Sequence, residues 1–278
     1  MSKIGMASSG MVMANWLDAL KAAAENNFDA FEITCVFPSA NPQDIEPKAI
    51  AEAREILKSS GMEVCVHAPF FEINIAAYCR SIREVSIRLI NEAADLCHAL
   101  DGTVLVVHSG DYTYSLADAT RHNHPAMEIQ WNSNIDALKR INAHANAKDV
   151  TVCLENIAID ESAIDRSFAD LLEIREKVGD SLRFTLDMGH SRLSGGTANG
   201  IQALGKAIRH IHLTDNFGKK DDHLPLGDGD YDYSEFIDFL KNFDHIITLE
   251  VIGIGTDPEP VLRARRALQD LLTARPVP

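Results

Sequence analysis

Nine acidic and imidazole side chains stand where metal chemistry could be done: His67, His108, Glu155, Asp187, His190, His212, Asp221, His223 and Glu250. Most of them close a short apolar run. EVCVH ends at His67, TVLVVH at His108, VTVCLE at Glu155, RFTLD at Asp187 and HIITLE at Glu250, while IRHIHL contains His212. His, Asp and Glu are the ligands that hold zinc, manganese or magnesium. Several carboxylates pointed at one another repel unless cations sit among them. Each residue alone has a plainer reading, since an Asp that opens a loop is often a helix cap and a His in a strand is often a hydrogen-bonded core residue. His210 and His245 are read that way, and His98 and His144 as structural or exposed. What argues for a metal site is joint occurrence, together with the pairs Asp187–His190 and Asp221–His223, which can each converge on one side. The chain is expected to bind divalent ions, zinc or manganese foremost and magnesium as a further option.

These positions need elements that aim them at one point. Strand-like runs are expected at Ile4–Met6, Ala30–Thr34, Glu63–His67, Thr103–His108, Val150–Glu155, Arg183–Asp187, His210–Leu213 and Ile246–Glu250. Amphipathic stretches separate them: Asn15–Asn26, Pro47–Ser60, Ile82–Leu100, Trp131–Ala147, Ser167–Val178, Ile201–Ala207, Ser234–Asn242 and Glu259–Ala274. Pro47 at a helix start, Gly61 after LKSS and Gly179 after REKV mark helix ends. Strands that each lead into a helix give a right-handed parallel sheet, and at this length a closed α/β barrel of the (β/α)8 type fits best. It would form one domain over residues 1–278, with the metal site at the C-terminal face, where such barrels carry their chemistry. An open doubly wound sheet would gather function at one Gly-rich loop, and no GxGxxG or Walker motif is present.

Composition bounds the partners. The chain has 278 residues, 46% hydrophobic and 24% charged, as in an ordinary globular protein. No apolar run approaches the roughly 20 residues of a membrane span, no signal peptide is evident, and five cysteines without a CxxC pair argue against a disulfide framework. The cytoplasm is the expected compartment. A formal charge of −15 lowers the prospect of a bulk nucleic-acid binder, and the densest basic cluster, Arg263, Arg265 and Arg266, reads as a solvated helix face. The loops after His108 and His212 are long, and Tyr112, Tyr114, Arg121, His122 and His124 in the first of them are candidates for substrate contact. Nothing in the sequence sets the oligomeric state.

The ordered motifs VHAPF, VVHSG, CLENIA, TLDMGH, IHLTDN, DDHLPLGDG and TLEV resemble the xylose isomerase-like and endonuclease IV-like barrels over nearly the whole chain. Within endonuclease IV the corresponding residues hold three zinc ions. The resemblance implies that His67, His108 and Glu155 hold one ion. Glu155, Asp187, His212 and Glu250 would hold a second, with Glu155 bridging, and His190, Asp221 and His223 a third.

Two reactions follow from the resemblance. A multinuclear site, with three ions, would generate a hydroxide and cleave a phosphodiester or a phosphorylated small molecule. The presence of all nine ligands makes this hydrolase the leading expectation. The alternative is a sugar or sugar-phosphate isomerase or epimerase that needs one ion, with Glu155 and Glu250 moving a proton and His190 touching substrate. A DNA endonuclease acting at abasic sites is a narrower reading. The family's repair enzymes use an Arg after the second strand, whereas CVFPSANPQD has no basic residue there. Phe70 and Phe71 could wedge a duplex or line a small-molecule pocket. A metal-storage role is the most distant reading.

Overall fold

The computed structural model describes residues 2–36, 39–113, 124–158, 162–253 and 255–273. Eight strands close into a barrel in sequence order: β1 (Lys3–Ala7), β2 (Ala30–Thr34), β3 (Glu63–His67), β4 (Val104–Val107), β5 (Thr151–Glu155), β6 (Arg183–Asp187), β7 (Ile208–Leu213) and β8 (Ile246–Leu249). Every neighbouring pair is parallel, including β1 with β8. The helices are α1 (Trp16–Glu25), α2 (Pro47–Ser60), α3 (Arg80–Ala99), α4 (Pro125–Asn146), α5 (Phe168–Val178), α6 (Met188–Leu193), α7 (Thr197–Leu204), α8 (Ile237–Lys241) and α9 (Glu259–Thr273). The protein is a (β/α)8 barrel, as the alternation of runs predicts.

Period-two alternation along the strands sorts residues between two apolar layers. Phe31, Ile33, Val64, Val66, Leu105, Val107, Leu154, Phe184, Leu186, Ile211, Ile247 and Leu249 belong to the large core cluster that also takes in the helices. The residues between them form a separate small cluster of Ala30, Cys65, Val104, Val106, Cys153 and Ile246 inside the barrel. Stepping by two from these inner residues reaches Glu32, His67, His108, Glu155 and Thr248. The same parity that hides Cys65 and Cys153 therefore aims the chemistry. Cys153 behaves as a small buried hydrophobe whose thiol burial pushes up to about 12, whereas the equally buried Cys65 thiol donates to Glu32.

Local signals explain the helix ends. Asn15 caps α1 by accepting from Leu17 N and Asp18 N, Pro47 opens α2, and Gly61 closes it with φ of 72°. Three expectations change. Helix α4 starts at Pro125, earlier than Trp131, because proline is pre-shaped for a first helical turn. The stretch Ser234–Asn242 forms a 3-10 turn at Tyr233–Phe236 followed by the short α8. Helix α6 directly after β6 was not expected. Asp187 caps it by accepting from His190 N at 2.6 Å, the plainer of the readings open to an Asp at a strand end. No helix among the described residues is long and apolar enough to cross a membrane.

Candidate metal centre

All nine expected ligands gather at the C-terminal ends of the strands, in three groups of which the first two share Glu155. His67, His108 and Glu155 form one group, Glu155, Asp187, His212 and Glu250 a second, and His190, Asp221 and His223 a third, with donor atoms in each within 4.8 Å of one another. Glu155 links the first two. Its Oε2 is 3.2 Å from both His67 Nε2 and His108 Nε2, and its Oε1 is 3.0 Å from His212 Nδ1. Glu250 Oε2 is 3.2 Å from the same His212 nitrogen. In the third group Asp221 Oδ2 lies 3.0 Å from His190 Nε2 and 2.8 Å from His223 Nε2.

The surroundings fix which nitrogen of each imidazole points inward. Nδ1 of His67, His190 and His223 each sits 2.9 Å from a backbone carbonyl, of Ala68, Asn156 and Glu250 respectively. Those nitrogens donate to the carbonyls, and each Nε2 faces the carboxylates, free to give up its proton to a cation bound among them. Tying the far nitrogen in this way is how proteins hold histidines for a metal. Asn156 does further work by clamping β5 to β6, donating to Asp187 O at 3.0 Å and accepting from Asp187 N at 2.9 Å.

The long loop after β7 is folded around Asp215, a residue the sequence reading passed over. Its Oδ1 accepts from Asn216 N and Tyr231 N, and its Oδ2 from Gly227 N and Gly229 N. An isolated bridge pairs Asp215 with Leu224. The loop is thus an ordered scaffold that presents Asp221 and His223. His223 itself has φ of +47°, a left-handed conformation that a non-glycine residue adopts at some cost.

Electrostatics match a cation site. Burial and the neighbouring Glu155 and Glu250 push Asp187 up to about 6, although His190 and His212 pull the other way. Its Oδ2 is buried without a hydrogen-bond partner. Burial opposes a charge on His212 as well, yet Glu250, Glu155 and Glu32 raise its pKa well above the ordinary value. Against burial, Asp221 and Glu250 lift His223 to about 9. Glu155 is held well below the usual carboxylate range, with His212, His108 and His67 outweighing burial. Crowded carboxylates, inward-facing imidazole nitrogens and an unpartnered buried oxygen suit a divalent ion, so the residues present fit such a group.

Sequence reasoning missed one member of this region. Glu32, in the middle of β2, is fully buried beneath His212 and His210. The available signal was a carboxylate inside the apolar run AFEIT. His210 is a buried hydrogen-bonded residue, as expected.

Among the expected substrate contacts, Phe70 stacks on His108 with centroids 4.8 Å apart and leans on His67 at 5.0 Å, while Phe71 beside it is exposed. Tyr112 is 5% exposed and lies beneath the Arg166 guanidinium, so its ring is a packing element and not an open contact face. Tyr114, Arg121 and His122 fall outside the described residues, and His124 is half-buried at the start of α4. Beside His108 opens a cavity of about 240 Å³ lined in part by Phe70, Asn74, Ser109, Asp111 and Asp165. Asp165 is buried there against Ser109, and burial raises its carboxyl well above the usual range. A larger hollow of about 430 Å³ opens beside Glu63 and Thr103, at the opposite end of the barrel, and holds none of the clustered ligands. The Arg263, Arg265 and Arg266 cluster is engaged on α9, with Asp228, the Asn26 and Asn27 carbonyls, and Glu259 respectively.

Known proteins share this architecture. An uncharacterized protein of Methanocaldococcus jannaschii is 30% identical over 254 residues, covering 89% of this chain and 83% of its own. A probable endonuclease 4 of Mycobacterium leprae is 26% identical over 235 residues, 81% of this chain and 85% of that one. Among solved structures, a D-tagatose 3-epimerase-like protein superposes with a TM-score of 0.83 at 27% identity, covering 97% of each chain. The family model of the xylose isomerase-like TIM barrel matches residues 20–271, and this chain belongs to that family.

Proposed function

We propose that this protein is a divalent-metal-dependent isomerase or epimerase of a sugar, with Glu155 and Glu250 moving the proton. The observation that carries the proposal is the buried group of Glu155, Asp187, His212 and Glu250, drawn from β5, β6, β7 and the residue after β8. A divalent ion bound there would polarise a substrate oxygen and acidify the neighbouring C–H bond. Glu155 and Glu250 stand on either side of Asp187 and His212, so their carboxylates can reach a substrate carbon from different sides. One accepts the proton and the other returns it to the opposite face, which inverts the carbon. His190, held by Asn156 O and Asp221, is placed to contact a substrate oxygen. Phe70 gives the apolar face of a sugar a partner. The cavity beside His108 offers the polar side chains of Asn74, Ser109, Asp111 and Asp165 to the hydroxyl groups of a sugar.

The complete ligand set puts hydrolysis first when the sequence stands alone. Similarity to a D-tagatose 3-epimerase-like structure, at 27% identity over 97% of each chain, supports epimerisation, and the probable endonuclease 4 relatives support hydrolysis as the second reading. A ligand count says how many cations a site can hold and not which bond it breaks. Hydrolysis of a phosphodiester stands as the second reading, supported by the two further groups around His67 and His223. The test is to incubate manganese-loaded protein in deuterated water with free ketoses, ketose phosphates and a chromogenic phosphodiester. A new epimer carrying deuterium at the inverted carbon is expected. Phosphodiester cleavage without carbon-bound exchange would overturn the proposal.

A further inference from the structure

We propose that Glu32 is a positioning residue that decides which nitrogen of His212 is offered to the metal, an inference that rests on the metal reading above. His212 lies between two clusters. Its Nδ1 is 3.0 Å from Glu155 Oε1 and 3.2 Å from Glu250 Oε2. Its Nε2 is 3.1 Å from Glu32 Oε1 and 3.3 Å from Oε2. Glu32, His210 and His212 also have the residue types and spacing of a metal site. A neutral imidazole, however, has one lone pair and one N–H, so His212 cannot ligate on both sides.

The partners of Glu32 decide between the two. Its Oε2 receives His210 Nε2 at 2.8 Å, the Thr248 hydroxyl at 3.1 Å and the Cys65 thiol at 3.4 Å. The other nitrogen of His210, Nδ1, is buried without a partner, so the His210 proton belongs on Nε2. A carboxylate ringed by N–H, O–H and S–H donors is an anion holder, because the donors aim protons and not lone pairs at the centre. His212 Nε2 then carries its proton toward Glu32, and the Nδ1 lone pair faces Glu155, Asp187 and Glu250.

Glu32 also differs in kind from the other anchors. His67, His190 and His223 lean on neutral backbone carbonyls. His212 leans on a full negative charge in a fully buried position, which makes its imidazole a stronger donor to a cation. It is also the histidine shared with both glutamates of the proposed proton relay.

The test has two readouts that do not depend on turnover. Ring-nitrogen NMR of the metal-free wild-type protein, taken up in pH until the His212 ring is neutral, needs no substitution, and an Nε2–H tautomer is expected. Nδ1–H there would overturn the proposal. Calorimetric titration of metal-free protein with manganese or zinc is then compared for wild type, Glu32→Gln and Glu32→Asp. Glu32→Gln, isosteric and uncharged, is expected to raise Kd about 10–100-fold while the metal-free variant melts near wild type. Glu32→Asp keeps the charge and is expected to recover part of the affinity. Unchanged affinity in Glu32→Gln, or zinc binding that perturbs His210 Nε2, would overturn the assignment. If the wild type binds no divalent ion, the metal reading fails, and the tautomer still reports on Glu32 separately.

Discussion

Replacing Glu155 with Gln should disturb the centre more than any single histidine change, because both of its oxygens face ligands. Oε2 is 3.2 Å from His67 Nε2 and His108 Nε2, and Oε1 is 3.0 Å from His212 Nδ1. The side chain is fully buried, so water cannot replace the lost charge. Opposite unit charges about 4 Å apart attract by about 4 kcal/mol at an effective dielectric constant of about 20. Each ~1.4 kcal/mol is tenfold in affinity, so the substitution should weaken an ion on either side by about three powers of ten. Turnover should fall further, by about 10²–10⁴-fold, because the same carboxylate is half of the proposed proton relay. The assay is titration of metal-free wild type and Glu155→Gln with manganese and zinc, with elemental analysis after dialysis and thermal melting of both metal-free proteins as a control on folding. Full metal occupancy in the variant with near-normal turnover would refute the bridging role.

Three further outcomes are expected. His223→Ala should retain an ion on Glu155, Asp187, His212 and Glu250 and keep measurable epimerase turnover; loss of all metal by elemental analysis would contradict the independence of the groups. The metal-free protein should lose stability as pH rises from about 7 to 9, measured by urea unfolding, because His223 has its pKa raised to about 9 in the fold and its contribution, complete below the unfolded value near 6.5, disappears as it deprotonates. His108 and His210 are shifted downward and act with the opposite sign, but only at and below that unfolded value, so a stability that climbs between 7 and 9 would contradict the assignment. An abasic duplex should be neither bound nor incised at about 0.15 M salt, since the chain carries −15 net charge and CVFPSANPQD offers no cation to grip phosphate; efficient incision would make the protein a nuclease.

The barrel was legible because its strands are short apolar runs, each ended by a polar residue and followed by an amphipathic stretch. In a parallel barrel all strand ends lie on one face, so His67, Glu155 and Asp187 could be assembled from their order alone. Helix α6 was hidden because Asp187 both ends a strand and caps the turn that follows, and a short helix has too few residues to show a period. Asp215 reads in sequence as one more loop aspartate, and its role as the knot of that loop depends on amides up to Tyr231 folding back onto it.

The sequence by itself determined the fold, the nine candidate ligands and their division by strand, since these depend on local pattern and on which end of a strand a residue occupies. Only the tertiary structure decided the roles of Glu32 and of the imidazole nitrogens. Glu32 meets His210 178 residues away and His212 180 residues away, a contact that exists only because the barrel closes and puts their strands across one interior. The choice of Nδ1 or Nε2 follows from which acceptor stands behind each ring, and no spacing along the chain encodes that. A strand's pattern records that a residue faces inward, while what it faces there is set by the other strands.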